Sequence, residues 1–214
     1  MGLSLETIVL WVVPVVFAIT LHEAAHGYVA RHFGDHTAEA LGRITLNPLR
    51  HIDPIGTVVV PAMLYVTAGP QFVFGWAKPV PVNFGNLQHP KRDMLWVAAA
   101  GPFANFAMAF VWTLVLKLAV LDGTITSEGL VRMAQIGISV NLVLMALNLL
   151  PIPPLDGGRI AVSLLPAQAA RVWARLEPFG FIIIVALMFT PLLGDLIRPI
   201  RDAGALVLRA LVGL

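Results

Sequence analysis

Long uncharged stretches alternate with short polar connections along the chain, and the spacing of the charges predicts where helices cross a bilayer. Between Glu6 and Arg31 the only charged residue is Glu23. A helix needs about 20 apolar residues to cross the hydrocarbon. Five spans are therefore expected: Ser4 to Val29, Pro54 to Gly69, Met94 to Leu116, Met133 to about Leu150, and Pro178 to Gly194. The second and fifth are short and contain or border prolines. Beyond them, Arg198, Arg201, Asp202 and Arg209 interrupt the apolar residues of Leu196 to Leu214, while Ile197, Ile200, Val207 and Leu211 suit one helical face. That pattern favours an amphipathic helix lying in the membrane interface over a sixth span.

The connections carry their own signals. Arg31, His32 and Gly34 supply a helix stop, and Ala40 to Leu46 reads as a short strand before Asn47-Pro48. From Phe74 to Asp93, Gly75, Pro79, Pro81, Gly85 and Pro90 exclude a continuous helix. Val80, Val82 and Phe84 alternate there with polar or proline positions, as in an edge strand. Irregular backbone at membrane depth is tolerated only against protein or a water-filled cavity. The expected fold is an all-α polytopic membrane protein with about five to six transmembrane helices and a small re-entrant β-hairpin region. It forms a single domain over 1–214, with a core at about 4–165 and C-terminal helices at about 168–214.

Composition agrees with the pattern. The 214 residues are 58% hydrophobic and 12% charged, with a mean hydropathy of +0.84, whereas a soluble domain is about a quarter charged. Met1 to Leu5 lacks the basic start and the cleavage site of a signal peptide, so this stretch is expected in the mature protein. There is no cysteine, which excludes disulfides and thiolate metal sites. The net charge of +2 comes without a basic cluster interleaved with aromatics, so nucleic acid is not an expected partner. Arg31, Arg43 and Arg50 in the first connection, against Glu6 alone before the first span, place that connection in the cytoplasm by the positive-inside rule. Lys78, Lys91 and Arg92 in the next connection blur the alternation.

His22-Glu23-Ala24-Ala25-His26 lies toward one end of the first span. On a helix, residues four apart share a face with Cβ atoms about 5 to 6 Å apart, so both imidazoles can reach one zinc ion, with Glu23 beside it to activate water. The bland alternative is a buried pair of neutral histidines with a protonated acid. An acid inside a span costs about 3 kcal/mol and is a functional candidate by default. A hydrolytic zinc takes three protein ligands and leaves one position open. Asp156 is the only carboxylate between Glu128 and Glu177, and it follows three prolines that break the fourth span. It reads either as a cap of the helix that follows or as the third ligand. Beside an intramembrane HExxH, the ligand reading is favoured.

These residues resemble the site-2 protease family of intramembrane zinc metalloproteases, in its compact bacterial or archaeal form without PDZ or CBS domains. The resemblance rests on His22 to His26 and on Asn148 to Gly157. It extends to Gly75-Trp76-Ala77-Lys78-Pro79-Val80-Pro81-Val82 and to Ala100-Gly101-Pro102-Phe103-Ala104-Asn105, in the family's order. It implies one Zn2+ held by His22, His26 and Asp156, with Glu23 as general base. It also implies Asn148 as a polar helper near substrate or ligand. For Asn105, an interhelical hydrogen bond between closely packed helices is the first expectation. A substrate helix must unwind before attack, and Val80, Val82 and Phe84 are the expected edge for strand addition.

His32, His36, His51 and His89 read as surface or loop residues. The expected activity is hydrolysis of a transmembrane or membrane-proximal segment in a prokaryotic plasma membrane, with the site toward the cytoplasm. Partners are a membrane protein substrate and the lipid bilayer. A zinc or cation carrier and a catalytically silent helix-binding relative are the rival readings. The sequence names neither the substrate nor the oligomeric state.

Overall fold

The computed structural model describes residues 5–68, 75–120 and 127–213. The expected boundaries at Ser4, Gly69, Phe74 and Leu214 lie outside these residues. Nine α-helices are described: α1 (Leu5–His32), α2 (Thr37–Ala40), α3 (Val60–Ala68), α4 (Pro90–Val120), α5 (Glu128–Asn148), α6 (Asp156–Leu164), α7 (Ala167–Ala174), α8 (Glu177–Met188) and α9 (Leu192–Val212).

Among the described residues, α1, α4 and α5 are long and apolar enough to cross a membrane, and a fourth crossing exists if α8 and α9 count as one bent span. The polytopic helical architecture is thus present, with three or four candidate spans among the described residues, and these do not bear out the expected five to six. The expectation counted uncharged residues, whereas a span also needs unbroken helix. The second candidate divides into a π-helical turn, Pro54–Val59, and α3, described as far as Ala68. The fifth becomes the 12-residue α8, and α9 leaves it at 93°. Pro191 disfavours helical backbone in the residue before it, which explains the break at Thr190.

The β-hairpin region is also corrected: the described residues contain no strand. Residues 75–83 form an extended strap without a ladder. On one edge, the N–H groups of Trp76, Lys78 and Val80 donate to Gly56 O, His51 O and Glu23 Oε2 at 3.0, 2.9 and 2.7 Å. On the other edge, Pro79 and Pro81 have no N–H to offer. Arg43, buried in the first connection, donates from Nη2 to Lys78 O at 2.8 Å. Ala40 to Leu46 likewise ends α2 and turns, with Gly42 at φ 62°. Chain pairing here runs through side chains and single carbonyls.

Asp35 anchors the far end of the strap. Its carboxylate accepts from Thr37 N and Asn86 Nδ2 at 3.1 Å and from Asn83 N at 2.7 Å, and also from the Thr37 hydroxyl. Burial pushes this carboxyl up, but the hydrogen bonds from Thr37, Asn83 and Asn86 outweigh burial and hold it below the usual carboxylate range.

Two apolar clusters fix the helices. Ala30 of α1, Leu87 and Val97 of α4 form one, with Val82 of the strap packed against them. Ala109, Leu142, Met145 and Leu208 join α4, α5 and α9. The inward stripe of α9 runs through Ile200, Gly204, Leu208 and Val212, while Val207 and Leu211 are exposed. Ile200 thus belongs to both this stripe and the expected apolar face. Gly204 lets α9 approach Met145 and Leu142 closely, so the stripe follows the glycine and not the larger apolar residues.

Candidate metal centre

α1 presents His22, Glu23 and His26 to α4 and to the start of α6. Asp156 opens α6, whose N-cap is Leu155, and no side chain caps the helix. The capping role considered for Asp156 is thus not taken, and its carboxylate turns to the imidazoles. Gly157 makes this approach possible, because a Cβ there would collide with the carbonyls of Leu149 and Leu150 at the end of α5.

The hydrogen bonds of the two rings fix where their hydrogens lie. His26 Nδ1 stands 2.7 Å from Val97 O, a carbonyl that only accepts, so Nδ1 carries the hydrogen. His22 Nδ1 stands 2.7 Å from Asn105 Oδ1. Asn105 Nδ2 donates to Ala18 O at 3.2 Å, which sets the amide so that its oxygen faces His22. Both neutral imidazoles therefore carry hydrogen on Nδ1 and a lone pair on Nε2.

Those lone pairs converge. The two Nε2 atoms are 3.1 Å apart, and Asp156 Oδ2 lies 3.3 Å from His22 Nε2 and 3.4 Å from His26 Nε2. With both hydrogens on Nδ1, no hydrogen bond joins the Nε2 atoms. Asp156 Oδ2 is buried without a hydrogen-bond partner among the described residues. Three acceptors facing one point require positive charge between them. In a tetrahedral zinc site with bonds of about 2.0 to 2.1 Å, ligand atoms stand about 3.3 Å apart, so the three separations fit one zinc ion. His22, His26 and Asp156 are the group among the described residues that could hold a metal. Gly101 of α4 closes the cradle, since a Cβ there would meet His26 Nε2 and lie 2.5 Å from His22 Cε1.

A cavity of about 170 Å³ opens onto this cluster. His22, Glu23, His26, Asp156, Asn148, Val80, Val82 and Phe84 all line it. Of the residues selected from the sequence, Asn105 stands apart, behind His22. It makes the interhelical bond expected of it, to Asn141 Oδ1 at 3.1 Å, and also holds a ring of the cluster. Asn148 donates to Leu144 O of its own helix at 3.0 Å. Glu23 Oε2 accepts from Val80 N, which places the carboxylate between the cluster and the strap. Among the described residues, no partner engages Val82 N–H.

The other histidines stay outside the cluster. His36 pairs with Glu39 at 2.7 Å, His51 Nε2 with Thr45 O at 2.9 Å, and His89 lies 3.7 Å from Asp93. Sequence reasoning missed four participants. Val97 acts through a carbonyl, which has no sequence signature. Gly101 was visible within the resembling segment Ala100 to Asn105, but without a role. Asn141 was visible as an amide inside a span, and Arg159, which also lines the cavity, as a cation three residues after Asp156.

Comparison with known proteins completes the picture. The family model of peptidase family M50 matches residues 117–191. The Bacillus subtilis protein YwhC, named as a zinc metalloprotease, is 40% identical over 197 residues, covering 90% of this chain and 86% of its own. Proteins named Rip2 and described in the same terms are 32% identical in Mycolicibacterium smegmatis and 30% identical in Mycobacterium tuberculosis. These matches cover 83% and 90% of this chain and 66% and 70% of theirs. No solved structure matches. With that identity maintained over almost the whole chain, this multi-pass membrane protein belongs to peptidase family M50, the site-2 proteases, and is a zinc metalloprotease.

Proposed function

We propose that the protein hydrolyses peptide bonds within or beside transmembrane segments of other membrane proteins, with His22, His26 and Asp156 as zinc ligands and Glu23 as general base. The observation that carries this reading is the convergence of three lone pairs from rings whose other nitrogens are already bonded. Bound zinc would supply Lewis acidity to the scissile carbonyl and to water.

The chain's own groups do the remaining work. Val80 N–H holds Glu23 Oε2 and leaves Oε1 to take a proton from the attacking water. As the C–N bond breaks, Glu23 returns that proton to the leaving amine. A helical substrate keeps its carbonyls bonded internally, so the segment must unwind before it reaches the cavity. Val82 offers the free N–H to which an unwound segment adds, and Phe84 and Asn148 bound the same space. This narrows the docking edge from Val80–Phe84 to Val82, because Val80 N–H already serves Glu23. The basic residues of the first connection support a site toward the cytoplasmic face of a prokaryotic plasma membrane.

Glu23→Gln tests the assignment. Purified protein in detergent is expected to retain about one zinc per chain and to lose cleavage of a model transmembrane substrate by roughly 10²- to 10⁴-fold. Metal flux in vesicles that follows ligand affinity and ignores Glu23→Gln would favour a carrier. Bound zinc without Glu23-dependent cleavage of any substrate would favour a silent helix-binding relative.

A further inference from the structure

Asn141 lies fully buried in α5 and touches neither the cavity nor an imidazole. Its Nδ2 donates to Gly137 O of its own helix at 2.8 Å. A carbonyl only accepts, so this bond fixes the amide with Oδ1 directed at α4, where it accepts from Asn105 Nδ2 at 3.1 Å. Asn105 Nδ2 thus has two acceptors, Asn141 Oδ1 from α5 and Ala18 O from α1. The remaining atom of that amide, Oδ1, faces His22 Nδ1 at 2.7 Å.

The order of bonds determines which His22 nitrogen is free. If the Asn105 amide turned over, an N–H would meet His22 Nδ1 and the ring would carry its hydrogen on Nε2. The lone pair toward Asp156 and His26 would then be lost. All three amide and ring groups are buried, where a misdirected donor finds no water to accept it. We propose that Asn141 is a positioning residue for metal binding, acting through Asn105 to hold His22 in the tautomer whose Nε2 is a ligand. The relay crosses three spans, α5 to α4 to α1, and rests on the reading that His22 binds the metal.

The test is the zinc dissociation constant of the full chain in detergent, read by chelator competition, together with the visible spectrum of the Co2+-substituted protein. Asn105→Leu should weaken zinc 10- to 100-fold, as outer partners of metal-bound histidines do. Asn141→Leu should weaken it about 3- to 10-fold and alter the Co2+ spectrum. Asn141→Ser, whose hydroxyl is too short to reach Asn105, should do the same and carries the test if the leucine variant does not fold. Because Asn141 acts only through Asn105, the double variant should bind no more weakly than Asn105→Leu alone. Thr113→Val removes a buried hydroxyl bonded only to Ala109 O and should leave both readouts unchanged. Wild-type affinity and spectrum in both Asn141 variants, additive losses in the double variant, or an equal loss in Thr113→Val would overturn the relay. If His22→Ala itself leaves zinc affinity unchanged, the ligand assignment fails first.

Discussion

Gly101→Ala should weaken zinc binding while leaving the helices in place. The added methyl would meet His26 Nε2 and lie 2.5 Å from His22 Cε1 and 2.6 Å from His22 Nε2, where ordinary contact begins near 3.4 Å. One or both rings must therefore move by close to 1 Å. Neither ring is free to do so, because Asn105 and Val97 hold their Nδ1 atoms at 2.7 Å. Leaving one of those buried partners unsatisfied costs about 1 to 3 kcal/mol, and the Nε2 lone pairs would still be misaligned. A combined loss near 3 kcal/mol corresponds to about a hundredfold weaker zinc. Helix propensity acts oppositely: alanine in α4 should gain about 1 kcal/mol over glycine. The expected signature is zinc affinity reduced at least a hundredfold by chelator competition, with unchanged helical circular dichroism. Wild-type zinc affinity in Gly101→Ala would refute the claim that this face of α4 closes the cradle.

Val82→Pro removes an N–H that no described partner engages, on a strap residue that lines the cavity, so substrate cleavage should fall about tenfold or more while zinc content stays at one per chain; unchanged cleavage would dismiss strand addition. Arg159 stacks its guanidinium 4.9 Å from the centre of the Phe84 ring, a contact of about 0.5 to 1 kcal/mol. Arg159→Gln should make amide exchange at Phe84 to Asn86 roughly two- to fivefold faster, with zinc retained. Asp35, depressed in the folded chain, contributes stability that is complete above its unfolded value of about 3.9 and is lost as pH falls through its lower folded value. Amide protection at Asn83 should therefore decline only in acid. Asp35→Asn should lower it already at neutral pH and flatten the acid response.

His22, Glu23 and His26 were legible because a helix makes four-residue spacing a spatial fact. Asp156 was legible as a lone carboxylate beyond a broken span. What resisted reading was whatever depends on backbone atoms or on helix breaks. The carbonyl of Val97 belongs to any residue type, and the strap looked like a strand because its side chains alternate, although its prolines leave one edge without donors. Pro178–Gly194 is apolar enough to cross, but its helix α8 stops at Met188 and α9 leaves it at 93°. Asn105 was legible as a helix-to-helix contact, and its second duty at His22 emerged only once α1 and α4 were placed together.

The distance in sequence between His26 and Asp156 also sets an order in time. A ribosome adding about 5 to 20 residues per second needs on the order of ten seconds to travel from one to the other. Only toward the end of that interval have α4 and α5 been made beside α1, and the carboxylate proposed as third donor follows them. On the proposed ligand set, the nascent protein lacks a complete metal grip until α5 has been followed by the start of α6. On that reading metal capture is a late step of synthesis, and a chain arrested before Asp156 would have two donors for zinc in place of three.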